Sequence, residues 1–171
     1  MSTGTAVQSP FTFYYSSNND WSSSHNYDYW NINFTSAADA NNTATIKTIY
    51  DPSPTSFTLP KTAAFTGFST TGGNTSNSSQ FNVSGSFNKG WYFLTGVNSG
   101  ILFLNTFGYR DVWSGRSANG EVRSVGVEGN YLCSGAMSLS AECRLCFTSN
   151  YLYVYGGEGK SYGAAIQSVK E

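Results

Sequence analysis

Charge is what this sequence has least of. Only 11% of its 171 residues are Asp, Glu, Lys or Arg, against about 25% in an ordinary soluble domain. With 9 Lys and Arg against 10 Asp and Glu, the formal net charge is -1, and no basic run occurs. Nucleic-acid binding rests on clustered cations that neutralise phosphates, so no nucleic-acid partner is expected. Histidine is almost absent too: His25 stands alone in Ser22-Ser23-Ser24-His25-Asn26, a polar loop by composition. Catalysis by proton transfer or by a nucleophile needs a positioned base beside the reacting group. No spacing among Asp20, Asp28, Asp51, Asp111, Glu121, Glu128, Glu142 and Glu158 singles out a carboxylate pair, and the chain is expected not to be an enzyme.

Long apolar runs are also missing. Ile101-Leu102-Phe103-Leu104 is strand-sized, far short of the ~20 residues of a membrane-spanning helix, so no membrane insertion is expected. The start, Met1-Ser2-Thr3-Gly4-Thr5, has neither the positive charge nor the apolar stretch of a secretory signal. It reads as a cut from a longer polypeptide, of which this chain is the carboxy-terminal part. Three cysteines, Cys133, Cys143 and Cys146, cannot close a disulfide framework among themselves, because the number is odd. Cys143-Arg144-Leu145-Cys146 has the spacing of a zinc or redox half-site, but no second pair accompanies it. No metal and no cofactor are therefore expected. Gly156-Gly157-Glu158-Gly159-Lys160 lacks the full phosphate-loop pattern and reads as a strand-connecting turn.

What is present is aromatic, glycine-rich and polar without charge: 16% aromatics and 18 glycines. Long amphipathic helices usually carry charge on their wet face, so this mixture favours short strands joined by polar turns. A length of 171 residues suits one domain. Period-two alternation, the mark of half-buried strands, occurs in Phe11-Thr12-Phe13 and Asn31-Ile32-Asn33-Phe34. Residues 43–50 read as a strand stopped by Asp51-Pro52-Ser53-Pro54, and a short helix is expected around residues 61–65. Residues 69–79 are too polar to pack and read as a surface loop. Residues 81–87 and 91–95 read as strands, and residues 101–104 as a central strand buried on both faces. Tyr151-Leu152-Tyr153-Val154-Tyr155 alternates throughout, which predicts Leu152 and Val154 inward and three tyrosines on the other face. Residues 164–169 are expected to form the last strand.

Several runs resemble one family. Ile49-Tyr50-Asp51-Pro52-Ser53-Pro54 followed by Phe57-Thr58-Leu59-Pro60 is similar to the opening of the Fibrobacter succinogenes major paralogous domain. Leu102-Phe103-Leu104, Gly108-Tyr109-Arg110-Asp111, Gly126 and Gly129-Asn130-Tyr131 resemble its central motifs. Leu145 and Phe147, Lys160-Ser161-Tyr162-Gly163, and Ile166 with Val169-Lys170-Glu171 resemble its end. The likeness covers about residues 45–171, and the chain departs from it at Leu132-Cys133-Ser134 and Ala164-Ala165-Ile166-Gln167. This family looks like the C-type-lectin-like variable proteins diversified by retroelements in Bacteroides and their phages. The resemblance implies an α+β, strand- and loop-rich, C-type-lectin-like fold in one domain, residues 1–171. Residues 1–44 form an amino-terminal strand and loop part, and residues 130–165 are the candidate variable segment.

Between the frame positions of that segment lie Cys133, Met137, Arg144, Cys146, Thr148, Tyr151, Tyr153, Tyr155, Glu158 and Tyr162. Tyrosine offers broad apolar contact plus a hydroxyl at low entropic cost, as binding faces require. These residues are expected to form a ligand-binding surface, held by Leu145, Phe147, Leu152, Val154, Ile166 and Val169 facing inward. The implied function is receptor binding by a phage tail fibre or a bacterial surface adhesin, extracellular, with a cell-surface protein or glycan as partner. A homotrimer is expected if the chain belongs to a fibre. A calcium-dependent carbohydrate-binding lectin and a structural fibre domain are the alternatives.

Overall fold

The computed structural model describes residue 20 and residues 25–36, 43–96, 100–112 and 120–171. The alternation around Phe11 and Phe13 lies outside them. The chain is strand-rich with little helix, as its low charge and its polar turns predict.

The largest sheet is antiparallel and built from β7 (Gly129–Ala136), β8 (Ala141–Phe147) and β9 (Leu152–Gly159), in that order. A second sheet joins β2 (Val83–Ser84), β3 (Gly90–Leu94) and β4 (Ile101–Asn105). Among the described residues, two short ribbons accompany these sheets: β1 (Phe57–Thr58) with β10 (Val169–Lys170), and β5 (Tyr109–Arg110) with β6 (Val122–Arg123).

The core lies between one face of the large sheet and β3 with its neighbours. Alternate residues of a strand share a face, so Cys143, Leu145 and Phe147 of β8 point the same way, and all are fully buried. Leu152 and Val154 of β9 join them, as the alternation predicts. Phe65 and Phe68 from a 3-10 helix, Thr62–Phe68, and Phe93 from β3 close the cluster. The rings of Phe68 and Phe93 stack at 4.3 Å, and Phe93 meets Phe147 edge-on at 5.3 Å. Each such pair adds about 0.5–1.5 kcal/mol beyond the area it buries. Gly129 permits this packing, since a Cβ there would sit 2.3 Å from the Phe147 ring.

Several expectations need correction. Residues 101–104 form the edge strand β4, not a central one. Leu104 is buried, but Ile101 and Phe103 lie on the outer face, where the Phe103 ring meets Tyr92 at 4.6 Å. The apolar run therefore covers two faces of different character, and β3 takes the central place. Residues 43–50 make only an isolated bridge, Asn31 to Lys47. Residues 81–87 shrink to β2, with Phe81 bridging Ser69. The 69–79 segment is irregular, as expected, but it is tied down: Thr75 exchanges both backbone hydrogen bonds with Leu152 at 2.8 Å. The helix around residues 61–65 is present as the 3-10 segment. Gly156–Gly159 is no turn, because β9 continues through it with Gly156 opposite Arg144 and Gly157 opposite Cys143. At the end, only Val169–Lys170 forms a strand, and Ile166 and Val169 are exposed rather than inward.

Gly108 holds β5 in place. Its φ is +73°, and a Cβ would lie 1.9 Å from the Arg123 carbonyl oxygen. The left-handed conformation alone costs a side chain about 1–2 kcal/mol. Gly108→Ala is therefore expected to lower the unfolding free energy by more than ~2 kcal/mol, measured by urea denaturation.

Candidate functional site

The second face of the large sheet follows from the strand register. Directly opposed residues of antiparallel strands share a face, so Asn130, Cys146 and Tyr153 form one row. Leu132, Arg144 and Gly156 form the next, and Ala136, Glu142 and Glu158 the third. This face carries charge and hydroxyls, except where Leu132 joins Tyr29, Trp30 and Leu59 in a second apolar cluster.

Its floor is buried. Arg144 is 4% exposed. Its Nη2 donates to Glu158 Oε2 at 2.8 Å, and its guanidinium lies 5.8 Å from the centre of the Tyr109 ring. Its Nη1 is enclosed without a hydrogen-bond partner, as are Glu142 Oε1 and Asn130 Oδ1. Burial pushes the Glu142 carboxyl up to about 8; Arg144 and Lys160 oppose that rise and Glu158 adds to it. The Cys146 thiol donates to Glu128 Oε1 at 3.2 Å and lies 3.8 Å from the Tyr151 hydroxyl. Burial first, and then the Glu128 charge, push this thiol up to about 12.

The rim is aromatic. Tyr151 and Tyr153 stack with ring centres 4.9 Å apart, and Tyr153 is 38% exposed. Tyr109 and Tyr162 meet at 6.1 Å. Burial raises the Tyr162 hydroxyl, with Glu158 and Asp111 adding to the effect. A backbone bridge between Arg110 and Gly163 brings β5 to this rim.

No family model, curated protein or solved structure matches the chain. The groups themselves define what the face offers: aromatic planes with hydroxyls at the rim, and above a buried arginine a mixed set of hydrogen-bond donors and acceptors. Among the described residues, no three of His, Cys, Asp and Glu approach closely enough to hold a metal ion.

Of the residues singled out in the sequence, Arg144, Cys146, Tyr151, Tyr153, Glu158 and Tyr162 gather here. Arg144 and Cys146 are floor rather than displayed surface. Cys133 is a correction: it is fully buried in the core beside Cys143. Met137 packs against the same cluster, close under Gly157. Thr148 belongs to the β8–β9 turn, where its hydroxyl oxygen accepts from the backbone N–H groups of Asn150 and Tyr151.

Tyr155 is the most instructive correction. The register shifts between Arg144 and Cys146, so Leu145 faces both Val154 and Tyr155. A bulge of this kind interrupts the period-two alternation. It turns Tyr155 to the core side, where it packs against the main cluster. The row of three tyrosines is therefore a stack of two.

Glu142, Asn130, Glu128 and Tyr109 were not singled out. With Cys143 and Leu145 inward, alternation alone assigns Glu142 to the second face. Tyr109 comes from a distant segment, and no local pattern points to it.

Proposed function

We propose that the chain is a ligand- and receptor-binding module and not an enzyme, working outside the cell as part of a bacterial surface adhesin or a phage tail fibre. Its scaffold is the C-type-lectin-like fold of the Fibrobacter succinogenes major paralogous domain and of retroelement-diversified variable proteins. The observation that carries the reading is the second face of the β7–β8–β9 sheet, where a stacked tyrosine pair and a second tyrosine contact border a buried arginine. Rigid aromatic anchors around a polar floor are the usual means of holding a protein or glycan surface.

The motif residues behind the family resemblance support the scaffold reading, because they do structural work. The buried Asp51 carboxylate accepts from Ser53 N–H at 2.8 Å, Thr58 Oγ1 at 3.0 Å and Leu59 N–H at 3.1 Å. Gly108 is required by its φ and its crowding. Lys160 and Ser161 are buried, and Arg110 bridges Gly163.

The test is binding of the fluorescently labelled chain to a panel of intact Bacteroides cells. Replacing Tyr151 and Tyr153 together by Ala is expected to weaken binding at least ~30-fold, the loss of one anchor of about 2 kcal/mol. The melting temperature should move by only a few degrees. Unchanged binding by the folded double variant contradicts the proposal. Tyr155→Ala is a poor probe, because that side chain packs against the core.

A further inference from the structure

Cys143 and Cys146 have the spacing of a redox pair, yet they cannot act as one. Three residues apart on β8, they point to opposite faces. Cys146 lies with Glu128 and Tyr151 on the tyrosine side, whereas Cys143 enters the core. The partner within reach of Cys143 is Cys133 on the neighbouring strand.

Leu132 pairs with Arg144, and Cys133 and Cys143 are the next residues on the two strands, at the start of an irregularity that ends at Ala136 opposite Glu142. Both side chains are fully buried in one cluster, and the Cys143 thiol is the side-chain neighbour that acts on the Cys133 thiol. The regular pair beside them, Leu132 and Arg144, belongs to a ladder whose opposed Cα atoms lie about 4.5–5.5 Å apart, close to the roughly 4.4–6.8 Å that a disulfide spans.

We propose that Cys133 and Cys143 are a disulfide site, closed across β7 and β8 when the chain folds under oxidising conditions, while Cys146 remains a thiol. The oxidant is a small-molecule disulfide such as oxidised glutathione. One cysteine, as thiolate, attacks it and releases one glutathione thiol, forming a mixed disulfide. The second cysteine then attacks the protein sulfur and releases the second glutathione thiol. Two protein thiols are thereby oxidised, one small disulfide is reduced, and both protons go to the leaving thiolates or to solvent.

Timing follows from burial. Exchange needs an exposed thiolate, and in the finished core burial pushes the Cys133 thiol well above its ordinary range, with the Cys143 thiol adding to the effect. The bond therefore forms during folding and not in the folded reduced protein. Once formed, it shortens the free path of the hairpin that carries Glu142 and Arg144 on its opposite side.

The experiment refolds the whole chain from denaturant with oxidised and reduced glutathione, then counts alkylated cysteines by intact mass after renewed denaturation. One adduct is expected instead of three, with Cys133 and Cys143 joined in the non-reduced digest. Cys146→Ser should give none. The melting temperature should fall by roughly 5–10 °C on reduction, as for a loop of this length. Protein folded first without oxidant and then exposed to oxidised glutathione should keep its core thiols reduced. Cys133→Ala with Cys143→Val keeps the core apolar and should lose the effect of reduction while staying folded. Three adducts in refolded protein, or a bond that includes Cys146, overturns the proposal.

Discussion

Replacing Glu142 by Gln is expected to stabilise the chain by about 2–4 kcal/mol at pH 8 and to leave it nearly unchanged at pH 4. The carboxyl is 2% exposed, and its Oε1 has no hydrogen-bond partner. Burial dominates its environment and pushes the folded carboxyl up from its ordinary 4.5 to about 8. Below pH 4.5 both folded and unfolded chains hold the proton, and the residue has no pH effect. As the pH rises, the unfolded chain ionises first. The folded state then holds the extra proton, so stability falls with pH, and the loss is complete once the folded carboxyl has ionised above about 8. At roughly 1.4 kcal/mol per unit, this shift corresponds to at most about 5 kcal/mol, and relaxation around the charge lowers it to the expected range. Arg144 and Lys160 moderate the effect, while Glu158 deepens it. Urea denaturation of both proteins at pH 4, 6 and 8 separates this residue from the titrations they share. Parallel pH profiles for the two would contradict the burial argument.

Glu142 also shows where the sequence is legible and where it is not. The alternation along β9 assigns Leu152 and Val154 inward, and both are fully buried. The same rule on β8 places Leu145 and Phe147, so the core side of the large sheet follows from local pattern. Tyr155 escapes because a bulge is a property of two strands, and the sequence of one strand contains no sign of its partner's register. The run at residues 101–104 fails for a related reason. Continuous apolarity marks burial on both faces only when something covers the second face, and here Ile101 and Phe103 lie on an outer face beside Tyr92. The glycines at 156 and 157 suggested a turn by composition, yet they serve as strand residues, with Met137 Cγ 3.0 Å from where a Cβ on Gly157 would lie. The tyrosine stack was readable, but the contact of Arg144 with Tyr109 joins segments far apart in sequence, and only tertiary structure shows it.

Lys160→Met is expected to cost about 3–5 kcal/mol, the loss typical of removing one member of a buried ion pair. The lysine side chain is fully buried, as is that of Asp20, and Nζ lies 3.9 Å from Oδ2 of Asp20. Nζ also donates to the Asn26 carbonyl and, at 2.7 Å, to the Leu139 carbonyl. It stands 4.6 Å from the centre of the Tyr29 ring. Burial lowers the pKa of the amine, and Asp20, Glu142 and Asp28 counteract that. Methionine replaces the aliphatic stem but supplies neither the charge nor the donors, so the Asp20 carboxylate stays buried without this cation. Asp20 keeps His25 Nδ1 at 3.1 Å, so only part of the loss belongs to the Asp20 charge, and the companion change Asp20→Asn should recover that part, with a coupling of about 1–3 kcal/mol in a double-mutant cycle. The contacts join the end of β9 to Asp20, Asn26 and Tyr29, so hydrogen exchange in Lys160→Met should quicken first at residues 25–36. A variant that loses less than ~1 kcal/mol, the typical worth of an exposed ion pair, would show that this segment is held by its aromatic packing alone.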